Sequence, residues 1–522
     1  MRGMGGIQRI ERVASSVEFR RRAGGCASRC PPIEGRKIVG RKRVSEGSCF
    51  RCVIPEPSLP ENPEANMMRL PIFVLLVCAV SSAFAAPCRI EVVDKSNGWP
   101  VPLVQLTTTS DVSFVTDNAG VVAFDLPEFM DRETWLTVFS HGYELKADGF
   151  GNRGVRFTPK RGGTFKIEIE RKQIAKRLGR LTGSGIFAES QKLGDFGSWK
   201  ETGVTGTDTV QTAVHNGKLY WLWGDTNLPG YPLGIFNTPV ATTPLKPLVS
   251  LKPPTGIAFD YVRNEKGAPR GTIDIPGRGP VWLSGFVSLP DASGSNHLVA
   301  TWSKIEGMLK PKEFGLAEWN ERTERFDVVT SFWKKSDAEP EPPKVFPDGH
   351  PVVWKDEKGK SWLYLNGPPN FKCPATYEAW KDRSQWQGVE RDKSFKAADG
   401  GGNVDVAKAS LAWSGYRRKW VMIVQQRFGK PSVFGEVWYV EGDTPEGPWG
   451  PAVKIATHQN YTFYNIQIDW QLTSPDEPVL LFEGTYTTTF TDNKIKTPRY
   501  DYNQVLYRLD LDDPALKPAH KN

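Results

Sequence analysis

A short unit recurs through the later part of the chain and limits the folds open to it. Each copy has a strand-forming run, a polar turn and a second strand rich in aromatic residues, as in residues 213–225, 351–367, 411–426 and 468–484. Sheet-forming units that recur at intervals of roughly 55–75 residues are typical of a β-propeller, whose radial blades leave only short strand edges exposed. We therefore expect a five-bladed β-propeller over residues 181–515, with six smaller blades as the alternative.

The composition agrees with an all-β protein. The 522 residues include 50 Gly, 41 Pro and 18 Trp, a turn-rich and aromatic-rich balance that favours sheets over helical bundles. The net charge of +8 is concentrated at the start, since residues 1–66 hold 13 Arg and Lys against 7 Glu and no Asp. The remainder is nearly neutral, which removes the electrostatic argument for a nucleic-acid or anionic-membrane partner.

Residues 67–86 have the three parts of a secretory signal peptide. A positive start at residues 67–69 precedes an apolar run over 70–80, and Ala83-Phe84-Ala85 supplies a small-x-small cleavage site. The apolar run is too short for a permanent transmembrane helix. We expect cleavage near Ala85, a secreted or periplasmic protein without a stable membrane anchor, and a monomer. Residues 1–66 would then be a mis-called or disordered extension.

Cysteines are concentrated before this signal. Cys26, Cys30, Cys49 and Cys52 have the spacing of a zinc ribbon, but little apolar periodicity surrounds them and a zinc module ahead of an export signal is not expected. The mature chain would keep Cys88 and Cys373. A disulfide between those two is compatible with an oxidising compartment and stays open.

Residues 87–170 contain short alternating runs separated by Gly, Asn and Asp, which predict a small antiparallel β-sandwich. Within them, Thr116-Asp117-Asn118-Ala119-Gly120 and the later His141-Gly142-Tyr143 resemble the carboxypeptidase-regulatory or transthyretin-like module. The resemblance implies an accessory spacer without chemistry, in which His141 is a surface or turn histidine. Residues 171–180, RKQIAKRLGR, are interpreted as a solvated basic linker.

Asn216-Gly217, flanked by apolar and β-prone residues, predicts a two-residue hairpin turn. His215 then faces Lys218, and the same register makes Asp208 face Asp225. Directly opposed side chains have Cβ atoms roughly 5 Å apart, and two acids that close cannot both ionise easily. The two aspartates are thus candidates for paired-carboxylate chemistry. The alternatives are a turn-capping Asp or a bulge that offsets the register.

The stretches FGEVWY (434–439) and DTPEGPWG (443–450) resemble the outer-blade pattern of glycoside hydrolase family 43 and related five-bladed hydrolases. Gly224-Asp225-Thr226, at the end of an aromatic strand, is similar to the first blade of related endo-arabinanases. The resemblance implies a carbohydrate substrate and hydrolysis of O-glycosyl bonds. The chain departs from the family's Asp-Pro motif, since Thr209 follows Asp208.

Glycoside hydrolysis needs one carboxyl group to protonate the leaving oxygen and a second to activate water or attack carbon. We expect Asp208 to be the base or nucleophile and Glu483 the acid, with Asp225 tuning Asp208. Glu436 is the competing acid. The repeat places Asp208, Asp225 and Glu483 at converging blade ends around the central funnel, and Glu436 begins the strand that resembles those hydrolases.

Five further residues are expected to bind substrate, and three of them, Asn366, Gln425 and Arg427, lie at comparable ends of the repeats. His350 resembles the central histidine of several five-bladed hydrolases, with a turn histidine held by Asp348 as the alternative. Arg427 and Arg499 suit carboxylates or a charged sugar, and Asn366 and Gln425 complete the set. No metal or cofactor is expected, although propellers of this kind often hold a central calcium or sodium. The sequence therefore predicts a secreted glycoside hydrolase, with a non-catalytic carbohydrate-binding propeller or a surface scaffold protein as alternatives.

Overall fold

A computed structural model describes residues 86–245, 252–307 and 309–520. The predicted signal peptide with its cleavage site, the extension over residues 1–66 and the four-cysteine cluster lie outside these ranges. None of the helices within them is long and apolar enough to cross a membrane.

The first eight strands form two packed sheets. Their bounds are β1 Cys88–Asp94, β2 Gln105–Thr108, β3 Ser113–Val115, β4 Val121–Phe124, β5 Thr134–Phe139, β6 Tyr143–Glu144, β7 Gly154–Phe157 and β8 Thr164–Arg171. The sheet orders are β4-β1-β8-β6 and β3-β2-β5-β7. Their inner faces enclose one apolar core that includes Ile90, Leu106 and Ile167. The sandwich is therefore present, but β1 and β8 run parallel, which corrects the expectation of a purely antiparallel one.

The remaining strands build five sheets and one small extension. In chain order the elements are β9 Lys176–Arg180, α1 Ala188–Gln191, β10 Gly206–Thr207, β11 Val210–His215, β12 Lys218–Trp223, β13 Thr226–Leu228, β14 Tyr231–Ile235, β15 Val240–Pro244, β16 Asp260–Tyr261, β17 Val281–Pro290, β18 Asn296–Glu306, β19 Lys310–Asn320, β20 Arg325–Lys334, β21 Pro351–Lys355, β22 Ser361–Leu365, β23 Phe371–Pro374, α2 Tyr377–Lys381, β24 Gln387–Gly388, β25 Ser394–Lys396, β26 Asn403–Ser414, β27 Lys419–Gln426, β28 Val437–Gly442, β29 Val453–Ala456, β30 Thr462–Ile468, β31 Val479–Thr487 and β32 Asn503–Asp510. Short 3-10 turns cover Arg383–Gln385, Trp470–Leu472 and Pro514–Ala519.

Each of the five sheets is one blade of a propeller. Blade one is β11-β12-β15-β16, blade two β17 to β20, blade three β21 to β24, blade four β25 to β29 and blade five β30-β31-β32-β9. The inner strands meet around one axis, because β11 contacts both β17 and β30, β17 contacts β21, and β26 contacts β30. Blades three and four meet through the rings of Trp354 and Trp413. The all-β class with a five-bladed propeller is confirmed.

The ring closes through a segment that the sequence assigned to a linker. Val505 and Leu506 of β32 pair with Arg180 and Gly179 of β9, so β9 is the outer strand of blade five. This corrects the expectation that residues 171–180 are a solvated linker. The reason lies in the arginines, since Arg177 is only 1% exposed and satisfies its guanidinium by donating to the carbonyls of Pro102 and His141.

The sandwich is joined to the propeller by buried hydrogen bonds. The Asn118 side chain donates to the carbonyls of Arg180 and Thr255 at 2.8 and 2.7 Å. His141 is only 4% exposed, and its Nε2 lies 2.8 Å from the Tyr486 hydroxyl. It is thus a buried junction residue, which corrects the expectation of a surface or turn histidine.

Cys88 and Cys373 lie apart in the two halves of the molecule. Cys88 is in β1 of the sandwich and Cys373 is in β23 of blade three. Both are buried and free. The disulfide that the sequence left open is therefore absent.

Candidate active site

The predicted hairpin is confirmed. Asn216 and Gly217 join β11 to β12 with φ values of 46° and 77°, as a type I′ turn requires. His215 pairs with Lys218, and the same register continues past the aspartates to Thr207 and Thr226. The Asp208 N–H donates to the Asp225 carbonyl at 3.2 Å. The two aspartates are therefore cross-strand neighbours, as the sequence predicted.

The pairing of the two strands is interrupted at Asp208 and Asp225. Two ladders, β11 with β12 and β10 with β13, flank the four residues Asp208, Thr209, Gly224 and Asp225. Thr209 has a φ of 45°, a left-handed conformation that is a genuine outlier for a β-branched residue. A Cβ on Gly224 would lie 2.3 Å from Asp208 Oδ1. Only glycine at this position lets the Asp208 carboxyl group lie against the opposite strand.

Asp208 is half-buried and held by two tyrosines. The Tyr464 hydroxyl donates to Asp208 Oδ2 at 2.6 Å, and Tyr502 also hydrogen-bonds this carboxyl group. Burial raises the pKa of Asp208 to about 6, the Tyr464 hydrogen bond opposes the rise, and the charge of Asp225 adds to it. Asp208 therefore has a pKa near neutrality, where a carboxyl group can both give and take a proton.

Asp225 faces a different blade. The Trp282 indole N–H, on β17 of blade two, donates to Asp225 Oδ1 at 2.9 Å. Burial raises the pKa of Asp225, and the Trp282 hydrogen bond opposes the rise. Two neighbouring acids thus sit in unlike environments, which is the arrangement that separates an acid from a base in a pair of carboxyl groups.

Blades two to five each have an irregularity in or just before the inner strand. Gly285 in β17 and Gly349 before β21 have φ values of 64° and 111°, and the pairing of β26 shifts at Val406. Asn465, with a φ of 51°, sits in the β30 bulge and donates to the Thr209 hydroxyl. Bulges of this kind re-aim side chains next to active sites. Here they turn polar groups of several blades toward the funnel.

His350 lies at the centre of this arrangement. It hydrogen-bonds the backbones of Val210 in blade one and Ile466 in blade five, so it reaches across the axis from blade three. Burial lowers the pKa of His350 to about 4, and the charge of Lys408 lowers it further. The imidazole is therefore neutral at physiological pH and connects three blades below the aspartates.

The other predicted binding residues fall in three places. Asn366 and Arg427 line a polar cavity of about 290 Å³, and Gln425 is buried beneath it with its amide donating to the Phe434 carbonyl at 3.4 Å. Arg499 lies elsewhere, paired with Glu189 at 2.7 Å in a cavity that sandwich residues also line. The structure thus brings Asn366 and Arg427 together and places Arg499 apart from them, paired with a carboxylate of this chain.

The two glutamates expected as acids are buried between strands. Glu483 is 1% exposed and lies beside Asp469, and its pKa is raised well above the ordinary value by burial and then by Asp469. Glu436 is fully buried, with Lys454 Nζ 2.9 Å away and the Thr457 hydroxyl donating at 2.8 Å. Neither can touch a substrate in the funnel. The repeat placed Glu483 at a strand end, but it lies in the middle of β31, and the family resemblance that pointed to Glu436 gave no information on its burial.

Three residues of the site were not predicted from the sequence: Trp282, Tyr464 and Tyr502. Tyr464 precedes the repeat copy recognised at residues 468–484, because β30, the inner strand of blade five, begins at Thr462. Starting that copy at its inner strand would have placed Tyr464 opposite Asp208. Within the described ranges no group of three or more His, Cys, Asp or Glu side chains could hold a metal ion.

No family model matches the chain. No curated protein matches it either. Solved structures with some similarity include an exo-1,5-α-L-arabinanase from a bovine ruminal metagenomic library, with 11% identity over 59% of this chain and 94% of that one and a TM-score of 0.34. A Bacillus subtilis arabinanase shows 10% identity over 58% and 95% with a TM-score of 0.32. These values are too low for a functional inference, and the propeller is established by the sheets of this chain itself.

Proposed function

We propose that this protein is a secreted glycoside hydrolase that acts on a polysaccharide or oligosaccharide through Asp208 and Asp225. The observation that carries the proposal is the geometry of this pair. Two half-buried acids are cross-strand neighbours where blades one, two and five meet, and the pKa of Asp208 is raised to about 6. Hydrolysis of an O-glycosyl bond requires two carboxyl groups in unlike protonation states.

The environments assign the roles within the pair. Burial raises the pKa of both acids, and the charge of Asp225 helps to raise that of Asp208 to about 6, so we assign the proton of the pair to Asp208 near pH 6. We assign Asp208 as the acid that protonates the leaving oxygen and Asp225 as the ionised base or nucleophile. This reverses the role expected for Asp208 and replaces Glu483, which is too buried to reach substrate.

The tyrosines and the tryptophan support these roles. Burial, and then the charge of Asp208, raises the pKa of Tyr464 well above its ordinary value, so its hydroxyl stays protonated and remains a donor. It can stabilise Asp208 after the proton has left. Trp282 holds Asp225 from the other side and leaves the second oxygen of that carboxylate available.

A polysaccharide screen with reducing-end detection tests the proposal. The wild-type protein is compared with the Asp208→Asn/Asp225→Asn double variant, and new reducing ends are expected only from the wild type. Equal product from both would overturn the site assignment. Binding of a polysaccharide without any product would select the non-catalytic carbohydrate-binding alternative.

The extracellular or periplasmic location is a separate part of the proposal, supported by the signal pattern at residues 67–86. N-terminal sequencing of exported protein is expected to begin close after Ala85. Exported protein that still carries residues 1–66 would contradict it.

A further inference from the structure

The cavity beside the candidate active site is lined by an excess of positive charge. Arg391, Lys408 and Arg427 line it together with a single carboxylate, Asp348. These three side chains are exposed, and in the described part of the chain none of them takes part in an ion pair within 4 Å. The charge of Arg427, after burial, lowers the pKa of Arg391. The cavity therefore holds like charges that an anion would neutralise.

An exposed row of aromatic rings connects this cavity to the carboxylates. Phe428 directly follows Arg427 and is 58% exposed, and Phe490 is 55% exposed. Phe434 lies between them, with ring centroids 6.4 Å from Phe428 and 5.9 Å from Phe490. The Phe490 ring is in turn 6.1 Å from Tyr464. We call Phe428, Phe434 and Phe490 the phenylalanine shelf.

The backbone holds the shelf in an unusual conformation. Phe428 and Phe490 have φ values of 57° and 67°, in the left-handed region that bulky residues rarely adopt. Such outliers persist where the surrounding structure fixes them, and they concentrate at ligand-binding and active sites. Both rings are more than half exposed, and the apolar face of an aromatic ring suits the C–H face of a sugar ring.

The cavity and the carboxylate pair lie on two sides of His350. Asp348, two residues before His350, lines the cavity. Val210 and Ile466, whose backbones His350 hydrogen-bonds, follow Asp208 and Tyr464 by two residues each. A chain of several sugar rings could therefore occupy both places at once.

We propose that the cavity lined by Arg391, Lys408 and Arg427 is a subsite for an acidic sugar, one that carries a carboxylate or a sulfate ester. Adjacent sugar rings stack on the phenylalanine shelf and lead the chain to Asp208 and Asp225. This inference rests on the proposed function and narrows its substrate from polysaccharides in general to anionic ones.

Calorimetry with matched oligosaccharides tests the subsite without requiring hydrolysis. Tetragalacturonate, its fully methyl-esterified form and a sulfated galactose oligosaccharide are titrated into the Asp208→Asn variant and, as a check on folding, into the wild type. An anionic oligosaccharide is expected to bind at least about tenfold more tightly than the neutral one, because each charge-assisted hydrogen bond is among the strong ones. Preference for the carboxylate or for the sulfate form identifies the anion.

Substitutions test whether the cavity causes the preference for the anionic ligand. Arg391→Gln and Arg427→Gln should each weaken binding of the anionic ligand by about tenfold and leave the neutral ligand unaffected. Phe428→Ala should weaken both ligands alike. The control is Arg325→Gln, an exposed arginine on β20 at the outer edge of blade two, which should change neither.

Equal affinity for the anionic and neutral forms would overturn the subsite, as would a preference that survives removal of both arginines. These results differ from failure of the proposed function. Tight binding of an anionic chain that wild-type protein never cleaves leaves the subsite standing and removes the hydrolase. Cleavage of neutral chains alone leaves the hydrolase standing and removes the subsite.

Discussion

Two pairs of carboxylic acids lie across antiparallel strands of this propeller, and they differ in what surrounds them. Asp208 and Asp225 face each other between blades one, two and five, and Asp469 lies beside Glu483 within blade five. Burial is the first cause of the raised pKa in all four residues. By pKa alone, either pair would qualify as a catalytic site.

Access and hydrogen bonding separate the pairs. Asp208 and Asp225 are half-buried and receive donors from Tyr464 and Trp282. Glu483 has no hydrogen-bond donor in the described structure apart from the proton it shares with Asp469. A raised pKa together with solvent access and oriented hydrogen-bond donors indicates a catalytic role. A raised pKa in a fully buried pair indicates a carboxyl group that the core keeps protonated.

The largest expected effect is a loss of hydrolysis when the half-buried pair of Asp208 and Asp225 is changed. Asp208→Asn should lower hydrolysis by about 10²-fold or more, as loss of a general acid does. It should leave the free energy of unfolding unchanged or slightly higher, because it removes a like-charge repulsion across the strands. Activity assays and denaturant unfolding on the same preparation measure both. Asp260→Asn, on the outer strand β16 of the same blade, is the control.

A turn-capping role for Asp208 predicts the opposite pattern. Stability would then fall by about 1 kcal/mol, as for other lost capping residues, and activity would survive. That outcome would remove the distinction drawn here between the two pairs.

A smaller loss of activity is expected when a neighbouring side chain crowds the pair of Asp208 and Asp225. Gly224→Ala would place a Cβ 2.3 Å from Asp208 Oδ1, so the carboxyl group must move. Because misplacement of a catalytic group by about 1 Å is costly, kcat/KM should fall by about tenfold or more. Gly230→Ala is a matched control, since a Cβ there meets nothing within 4 Å. Equal activity in both variants would show that the position of the Asp208 carboxyl group does not matter.

The buried pair should affect stability and not activity. Burial raises the pKa of Asp469 to about 7, so the neutral form is favoured in the folded state. Its contribution to stability is complete below the unfolded pKa of about 4 and is lost as the pH rises through about 7. Glu483→Gln removes one of these acids. It should flatten the decline in melting temperature between pH 5 and 9 and change activity by less than about twofold.

The exposed Glu357→Gln is the control for this change. A steeper loss of melting temperature with pH in Glu483→Gln, or a large loss of activity, would show that the buried pair has a different role.

The hairpin and the propeller could be predicted from the sequence because both depend on local patterns. Asn-Gly fixes the turn, and the turn fixes the register that opposes Asp208 and Asp225. The recurring strand units indicate a propeller and favour five blades over six. These features need no knowledge of distant contacts.

The errors concern which way side chains face and which strands meet at a distance. Glu483 was expected at a strand end and lies in the middle of β31, and neither the repeat nor the resemblance that pointed to Glu436 indicated that both side chains are buried. Residues 176–180 were interpreted as part of a linker because Arg177 and Arg180 are charged. The carbonyl groups that accept hydrogen bonds from these buried arginines come together only in the folded chain. Tyr464 reaches Asp208 across more than 250 residues, a contact that no local pattern contains.

The pH dependence of kcat/KM tests the central claim most directly, because it reports the essential acid and base of the free enzyme. For the wild type we expect the basic limb near pH 6, from Asp208. Tyr464→Phe removes a hydrogen bond that favours the ionised form, so the basic limb should move up by about one pH unit. Trp282→Phe should raise the acidic limb in the same way, and Glu483→Gln should move neither. Limbs that shift with Glu483→Gln and stay fixed in Tyr464→Phe and Trp282→Phe would contradict the account.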